Sequence, residues 1–203
     1  MIEDEGSARR YVAGLADGVA MDRLDRLVAA LVEENRRQNL ISRPTEASIW
    51  QRHVADSAQL LRFVPRETFG PWLDLGTGAG FPGLVIAILR PAQPMVLVES
   101  RPLRAEWLAR MAEELALDHC RIEARRIEMV EAFAARVISA RAFAPLLKLL
   151  SLSAPFSTGE TTYLLPKGRS AAQELTALPV RSRELFHVEQ SLTDPDAGII
   201  VSS

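Results

Sequence analysis

Cysteine is nearly missing from this chain: Cys120 is the only one in 203 residues. That excludes an internal disulfide framework and a thiolate metal cluster, and leaves a buried, inert thiol as the expected state. Lysine is almost as scarce, occurring only at Lys148 and Lys167 among 24 basic residues, so the positive charge is carried by arginine. Excess charge of one sign is lacking too. The net charge of −2 and pI near 6.0 do not mark the whole molecule as a polyanion binder, so any such partner has to meet a local basic patch. Long apolar runs are absent. LVIAIL (84–89) is the longest and falls far short of the roughly 20 residues that cross a bilayer, while the acidic start MIEDEGSARR lacks the apolar core of a signal peptide. A cytoplasmic protein without a membrane partner is the expectation.

What is present reads as one sizeable core with an appendage, since 48% of the residues are hydrophobic. The first third is helical in pattern: Leu24, Leu27, Val28 and Leu31 recur at i, i+3, i+4 and i+7. A second helix is expected from an N-cap at Thr45 to the stop at Pro65, carrying Ile49, Trp50, Val54, Leu60 and Leu61. From Trp72 the texture changes to short apolar runs alternating with helix-period segments, the pattern of parallel strands joined by crossover helices. Strands are expected at 72–75, 95–98, 121–124, 137–139, 161–165, 184–188 and 199–201. Helices are expected at 82–89, 102–115, 142–152 and 170–175, with Pro82 and Pro102 in first-turn positions where a missing N–H costs nothing. The expected organisation is a helical N-terminal extension, residues 1–64, packed on an α/β domain, residues 65–203.

LDLGTGAGFPG (73–83) packs four glycines behind an acid, at the carboxyl end of the first strand, where open parallel sheets bind ligands. Gly78 to Gly83 satisfies G-x-G-x-x-G, and Glu99 ends the next strand where a ribose-binding acid belongs, so an NAD(P)-dependent oxidoreductase is one reading. Asp74 favours another. A carboxylate ~4 Å from a phosphate costs about 4 kcal/mol at an effective dielectric near 20, and a helix N-terminus returns only ~0.3–1 kcal/mol. The same acid suits the ammonium and sulfonium of S-adenosylmethionine, unless it merely caps the turn.

NLIS (39–42), RHVADS (52–57), DLGTGAGFPG (74–83) and ARAFA (140–144), in this order and spacing, resemble the RsmG family, also called GidB. The resemblance runs from about residue 20 to the C-terminus. It implies a class I S-adenosylmethionine-dependent methyltransferase with a Rossmann-like, mostly parallel seven-stranded sheet. The implied reaction is methylation at N7 of guanine 527, in the usual rRNA numbering, in the 530 loop of 16S ribosomal RNA. Carried over by position, cofactor contacts fall on Gly76 in the loop, Phe81 as an apolar wall, Ile127 and Glu128 around the adenine, and Arg141 between cofactor and RNA; Gly78 in the glycine motif and Glu99 as the ribose-binding acid join them from the reading of the loop itself. The chain departs from relatives at Ala135 and Arg136, where an acid often leads into the fourth strand, and in its C-terminus, which is not basic.

Guanine N7 displays a lone pair and no proton, so no general base is expected and positioning carries the reaction. No metal is expected either. His53 and Asp56, three apart on one helix face, are expected to form a network docking the helices onto the sheet, or else to touch the guanine. Phosphate contacts are expected among Arg36, Arg37, Arg43, Arg125, Arg126, Lys167 and Arg169, with Arg101 and Arg104 as further candidates. Lys167 is placed first because the fifth strand's end borders the expected substrate pocket. The partner is then 16S rRNA or the small ribosomal subunit, not DNA, and the protein a monomer. A non-catalytic RNA-binding assembly factor on the same fold is the third reading.

Overall fold

The computed structural model describes residues 1–202. Helix α1 (Glu5–Ala13) starts at a capping box in which Asp4 accepts from the Ser7 amide, and α2 (Gly18–Gln38) starts at Asp17, whose carboxylate accepts from the Ala20 amide at 2.7 Å. Of the stripe that the spacing of the sequence anticipates, Leu24, Leu27 and Leu31 are fully buried and Val28 partly so. The helix stops at Asn39, which takes the left-handed conformation (φ 37°) common at helix ends.

The single helix expected after Thr45 is instead four short turns: a 3₁₀ turn (Arg43–Ser48), a π-helical turn (Trp50–Ala55), α3 (Asp56–Ala58) and a second 3₁₀ turn (Gln59–Phe63). Ser42, not Thr45, sits at the N-cap position. A physical reason is visible at the break. The amides of Trp50 and Gln51 donate to the two carboxylate oxygens of Glu5, at 3.0 and 2.7 Å, which draws them away from the helix axis.

The α/β part follows as β1 (Trp72–Leu75), α4 (Gly83–Leu89), β2 (Met95–Val98), α5 (Pro102–Glu114), β3 (Cys120–Glu123), β4 (Val137–Ala140), α6 (Leu146–Ser153), β5 (Thr162–Gly168), α7 (Ala171–Thr176), α8 (Val180–Arg183), β6 (Phe186–Gln190) and β7 (Gly198–Ser202). All seven expected strands form. The seven-stranded sheet has the order β3-β2-β1-β4-β5-β7-β6, parallel from β3 through β5, with β7 antiparallel to both neighbours. The helix expected from residue 142 starts only at Leu146, because Pro145 disfavours helical geometry at Ala144.

Successive strand residues feed opposite faces of the sheet. Trp72, Leu97, Val137 and Leu164 join α4, α5 and the N-terminal helices in one buried cluster. Leu73, Leu75, Val98, Ile138 and Leu165 join α6 and α7 in another. All seven residues of α4 are buried, since it lies between the sheet and the helical extension. The extension is also tied to α5 by the ion pair of buried Glu34 with Arg110. Burial pushes the Cys120 thiol up to about 12, which keeps it protonated. No described helix is long and apolar enough to cross a membrane. The chain leaves β1 for β2 and β3 on one side and reaches β4 and β5 on the other, so a crevice opens at the carboxyl ends of β1 and β4.

Candidate functional site

The glycine loop enters that crevice. Gly76, Gly78 and Gly80 hold φ of +64°, +59° and +104°, conformations that side chains disfavour. Asp74 lies beneath them, fully buried. Its Oδ1 accepts from the Ser139 hydroxyl at 2.6 Å, and its Oδ2 accepts from the Gly83 amide at 3.0 Å and from the Thr77 hydroxyl. Ser139 in turn accepts from the Trp72 indole at 2.8 Å. Burial lifts the Asp74 carboxyl to about 6, with those hydrogen bonds opposing the rise. The expectation that Asp74 faces a cationic cofactor is therefore corrected: the carboxylate is spent on closing the loop and does not line the crevice.

The acid that does face it is Glu99, at the end of β2. Its Oε2 accepts from the Gly78 amide (3.0 Å) and its Oε1 from the Arg101 amide (2.9 Å), which fixes the carboxylate and leaves further lone pairs on each oxygen. Glu99 lines a narrow cavity of about 300 Å³ together with Gly76, Ile127, Glu128 and Phe143, under a rim of Arg101, Arg104, Arg125, Arg126 and Lys148. A wider cavity of about 860 Å³ lies beside it, lined by Thr45, Arg52, His53, Asp56, Arg141, Phe143, Lys167, Asp194 and Ile199 among others. The two share one wall, Ala142 to Ala144.

Of the seven residues expected to contact a cofactor, Gly76, Glu99, Ile127 and Glu128 come together on the narrow cavity. Gly78 stands behind Glu99 and positions it. Phe81 is only 2% exposed and lines neither cavity. Its ring stacks on His53 (centroids 5.1 Å apart), and the Arg141 guanidinium lies 5.5 Å from its centre. This places it under the network of the wide cavity and not in the expected cofactor wall.

Arg141 belongs to the wide cavity. It donates to the Arg52 carbonyl (3.2 Å), approaches Asp56 Oδ2 (3.4 Å) and donates to His53 Nδ1 (3.2 Å). Because arginine can only donate, His53 Nδ1 accepts, and its Nε2–H is left to donate to Thr45 Oγ1 at 3.0 Å. Burial, with Arg141 and Arg52 nearby, lowers His53 to about 3, so the ring is neutral. Asp56 Oδ1 accepts from Gln59 and from Thr193, each at 2.8 Å. His53 and Asp56 thus link the helical extension, β4 and the turn before β7 while lining the wide cavity.

Lys167 also lines that cavity, but its side chain is only 6% exposed. Its ammonium donates to the Ala144 carbonyl (2.7 Å) and pairs with Glu174 (2.9 Å). It is not free to reach a phosphate, which corrects the expectation placed on it first. The sequence suggested no place in the site for Phe143, Arg52 or Asp194, and marked Thr45 only as a helix cap. Arg52 and Phe143 lie inside the quoted motifs RHVADS and ARAFA; nothing in the sequence places the other two there.

The family model for GidB, rRNA small subunit methyltransferase G, matches residues 20–193. The chain is 57% identical to the "Ribosomal RNA small subunit methyltransferase G" of Erythrobacter litoralis over 99% of this chain and 97% of that one. It is likewise 57% identical to the protein of that name from Novosphingobium aromaticivorans, over 91% and 81%. Among solved structures, a methyltransferase from Geobacter sulfurreducens superposes with a TM-score of 0.60 over 95% of this chain and 93% of that one, at 14% identity. An S-adenosylmethionine-dependent O-methyltransferase from Thermotoga maritima gives 0.56 over 85% and 71%, at 13% identity. With this sheet order, a glycine loop closed by a buried acid, and matches over nearly its full length, the chain has the class I S-adenosylmethionine-dependent methyltransferase fold and belongs to the rRNA small subunit methyltransferase G family.

Proposed function

We propose that the protein methylates N7 of guanine 527, in the usual rRNA numbering, in the 530 loop of 16S ribosomal RNA, with S-adenosylmethionine as donor. The observation that carries this reading is the pair of cavities meeting at one thin wall beside β1 and β4. The narrow one fits the donor by its chemistry. Glu99 offers acceptor lone pairs to a ribose diol, Ile127 an apolar surface to adenine, Glu128 a polar edge, and Gly76 a close backbone approach. Bound there, S-adenosylmethionine supplies an electrophilic methyl group.

The wide cavity is suited to a base that needs no deprotonation. His53 keeps its Nδ1 lone pair on Arg141 and stays neutral; Asp56 is held by Gln59, Thr193 and Arg141. These groups orient one another and are not poised to take a proton, which guanine N7 does not require. Positioning is then the main lever, able to remove ~7–11 kcal/mol of barrier in well-aligned systems. In this reading the unit 65–203 holds the donor and the extension 1–64 completes the acceptor wall. The protein works as a cytoplasmic monomer on rRNA or the small subunit, with no DNA or membrane partner. Exposed Arg101, Arg125 and Arg126, with the partly buried Arg104, are the rim phosphate contacts this reading favours.

The test is methyl transfer from labelled donor to naked rRNA, assembly intermediates and mature subunits from a strain lacking the gene. One labelled guanine in the 530 loop is expected. Label on another nucleotide rejects the target, and tight RNA binding with no label on any form favours a non-catalytic assembly factor.

A further inference from the structure

The wall shared by the two cavities is built in an unusual way. Ala142 sits in the left-handed region (φ 52°), a conformation that costs a non-glycine residue energy and persists only where its surroundings hold it. The surroundings do so from three sides. Arg141, before it, is fixed by His53, Asp56 and the Arg52 carbonyl. After it, the buried Lys167 ammonium grips the Ala144 carbonyl, and Glu174, which pairs with that ammonium, also accepts from the Leu146 amide at 2.9 Å. Between these anchors the Phe143 ring lies on the glycine loop: a Cβ added to Gly76 would stand 2.5 Å from Phe143 Cδ2. The ring is half-buried and lines both cavities.

We propose that Phe143 is the aromatic partition of this site, seated on Gly76 on the donor side and offering its exposed side to the wide cavity as the surface on which the acceptor purine stacks. The inference rests on the methyl-transfer reading and adds the residue that touches the base. An unpaired loop base is usually held by stacking on a flat side chain plus hydrogen bonds at its edges. Phe143 is the carbocyclic aromatic ring that lines the wide cavity, and Arg52 and Arg141 lie on the same lining as donors for a purine edge. The strained Ala142 sets the direction of the ring. Lys167 and Glu174, paired with each other behind the wall, act as positioning residues for it.

The test uses Phe143→Leu, which keeps apolar bulk but removes the flat ring, beside Phe143→Trp, which keeps an aromatic surface. For Leu, kcat/KM on rRNA is expected to fall about 10–100-fold, with the dissociation constant of S-adenosylhomocysteine unchanged; Trp is expected to restore transfer to within about threefold. Full activity of the Leu variant overturns the proposal. So does a loss that Trp does not restore and that parallels weaker S-adenosylhomocysteine binding, because the ring would then be only a wall of the donor pocket. A second readout needs no turnover. The indole introduced by Phe143→Trp adds fluorescence over the wild-type background, and an rRNA fragment carrying the loop should quench that added signal, with binding followed by anisotropy of labelled RNA. RNA bound without quenching overturns the stack and leaves the methyl-transfer reading intact. Quenching by RNA that the wild-type protein never methylates does the reverse.

Discussion

Burial holds the His53 ring neutral down to about pH 3 and lifts the Asp74 carboxyl to about 6, so the two groups act on stability in opposite senses across the acidic range. From pH 6.5 down to about 3 the unfolded chain binds a proton at His53 that the folded chain refuses, and stability from this group is lost as pH falls. From 3.8 to about 6 the folded chain keeps the Asp74 proton that the unfolded chain has released, and stability from this group is lost as pH rises. In the overlap the two largely cancel. His53→Gln removes one partner of that balance. The difference in unfolding free energy between wild type and variant should grow with pH by about 1.4 kcal/mol per unit between 3 and 6.5 and then level off, read from urea titrations at several pH values. A difference that does not change with pH means that His53 is not held neutral. Lys167 gives a second prediction at this scale. Lys167→Met should cost about 1–3 kcal/mol by leaving Glu174 without its cation. It should also leave the salt dependence of RNA binding unchanged, whereas a true phosphate contact would reduce that slope by about 0.7–0.9. The sequence marks Lys167 only as one of two lysines beyond a strand. Its burial follows from the approach of the wall at 142–144 and from Glu174, which are brought near only by the folded sheet.

Among the elements, the π-helical turn Trp50–Ala55 carries Arg52 and His53 into the wide cavity, and its register is held from outside the stretch that the family model covers. Glu5 accepts from two adjacent amides of this turn, Gln51 donates to the Ile2 carbonyl at 2.9 Å, and the Ile2 amide donates to the Leu192 carbonyl at 2.7 Å. The N-terminal segment therefore braces both the turn and the loop bearing Asp194, which pairs with Arg52 at 2.8 Å. Glu5→Ala orphans two partly buried donors, and a loss of about 1–3 kcal/mol is expected. Faster amide exchange should be confined to residues 49–56 and 191–194, with S-adenosylhomocysteine affinity retained; exchange rising evenly through the sheet would show that the brace is not local. None of this was legible. Apolar spacing from Ile49 to Leu61 fits a continuous helix, and it is a carboxylate more than forty residues away that diverts the amides. The late start of α6 was legible in principle, because Pro145 stands in the sequence, but the apolar run through Leu152 outweighs a single proline in any window reading.

At the scale of the whole molecule, β1, β2 and β4 were readable because strands buried on both faces are short, continuous apolar runs set between helical periods, whereas the edge strand β3 carries no such run. The insertion of β7 between β5 and β6 was not, since a strand pattern carries no record of which neighbour it pairs with. The donor side of the site follows the same division. Gly76 and Glu99 sit where a glycine loop and a strand-end acid belong in any such sheet, while the sealed position of Asp74 depends on Ser139 arriving from β4 beside it. Because the narrow cavity is assembled from the ends of β1 and β2 and the segments after β3 and β4, it exists only in the folded chain. A ligand for it should therefore stabilise the fold as a unit. S-adenosylhomocysteine at 100 times its dissociation constant adds about 2.7 kcal/mol. For a chain of this size, that corresponds to a rise in Tm of roughly 5–10 °C. NADH at the same concentration should give no comparable rise, since its diphosphate finds no free row of glycine-loop amides: the Gly78 amide is spent on Glu99, the Gly83 amide on Asp74, and the Gly76, Thr77 and Gly80 amides on backbone carbonyls. A thermal shift with NADH equal to that with S-adenosylhomocysteine would overturn the assignment of Glu99 and Gly76 to a donor without a diphosphate.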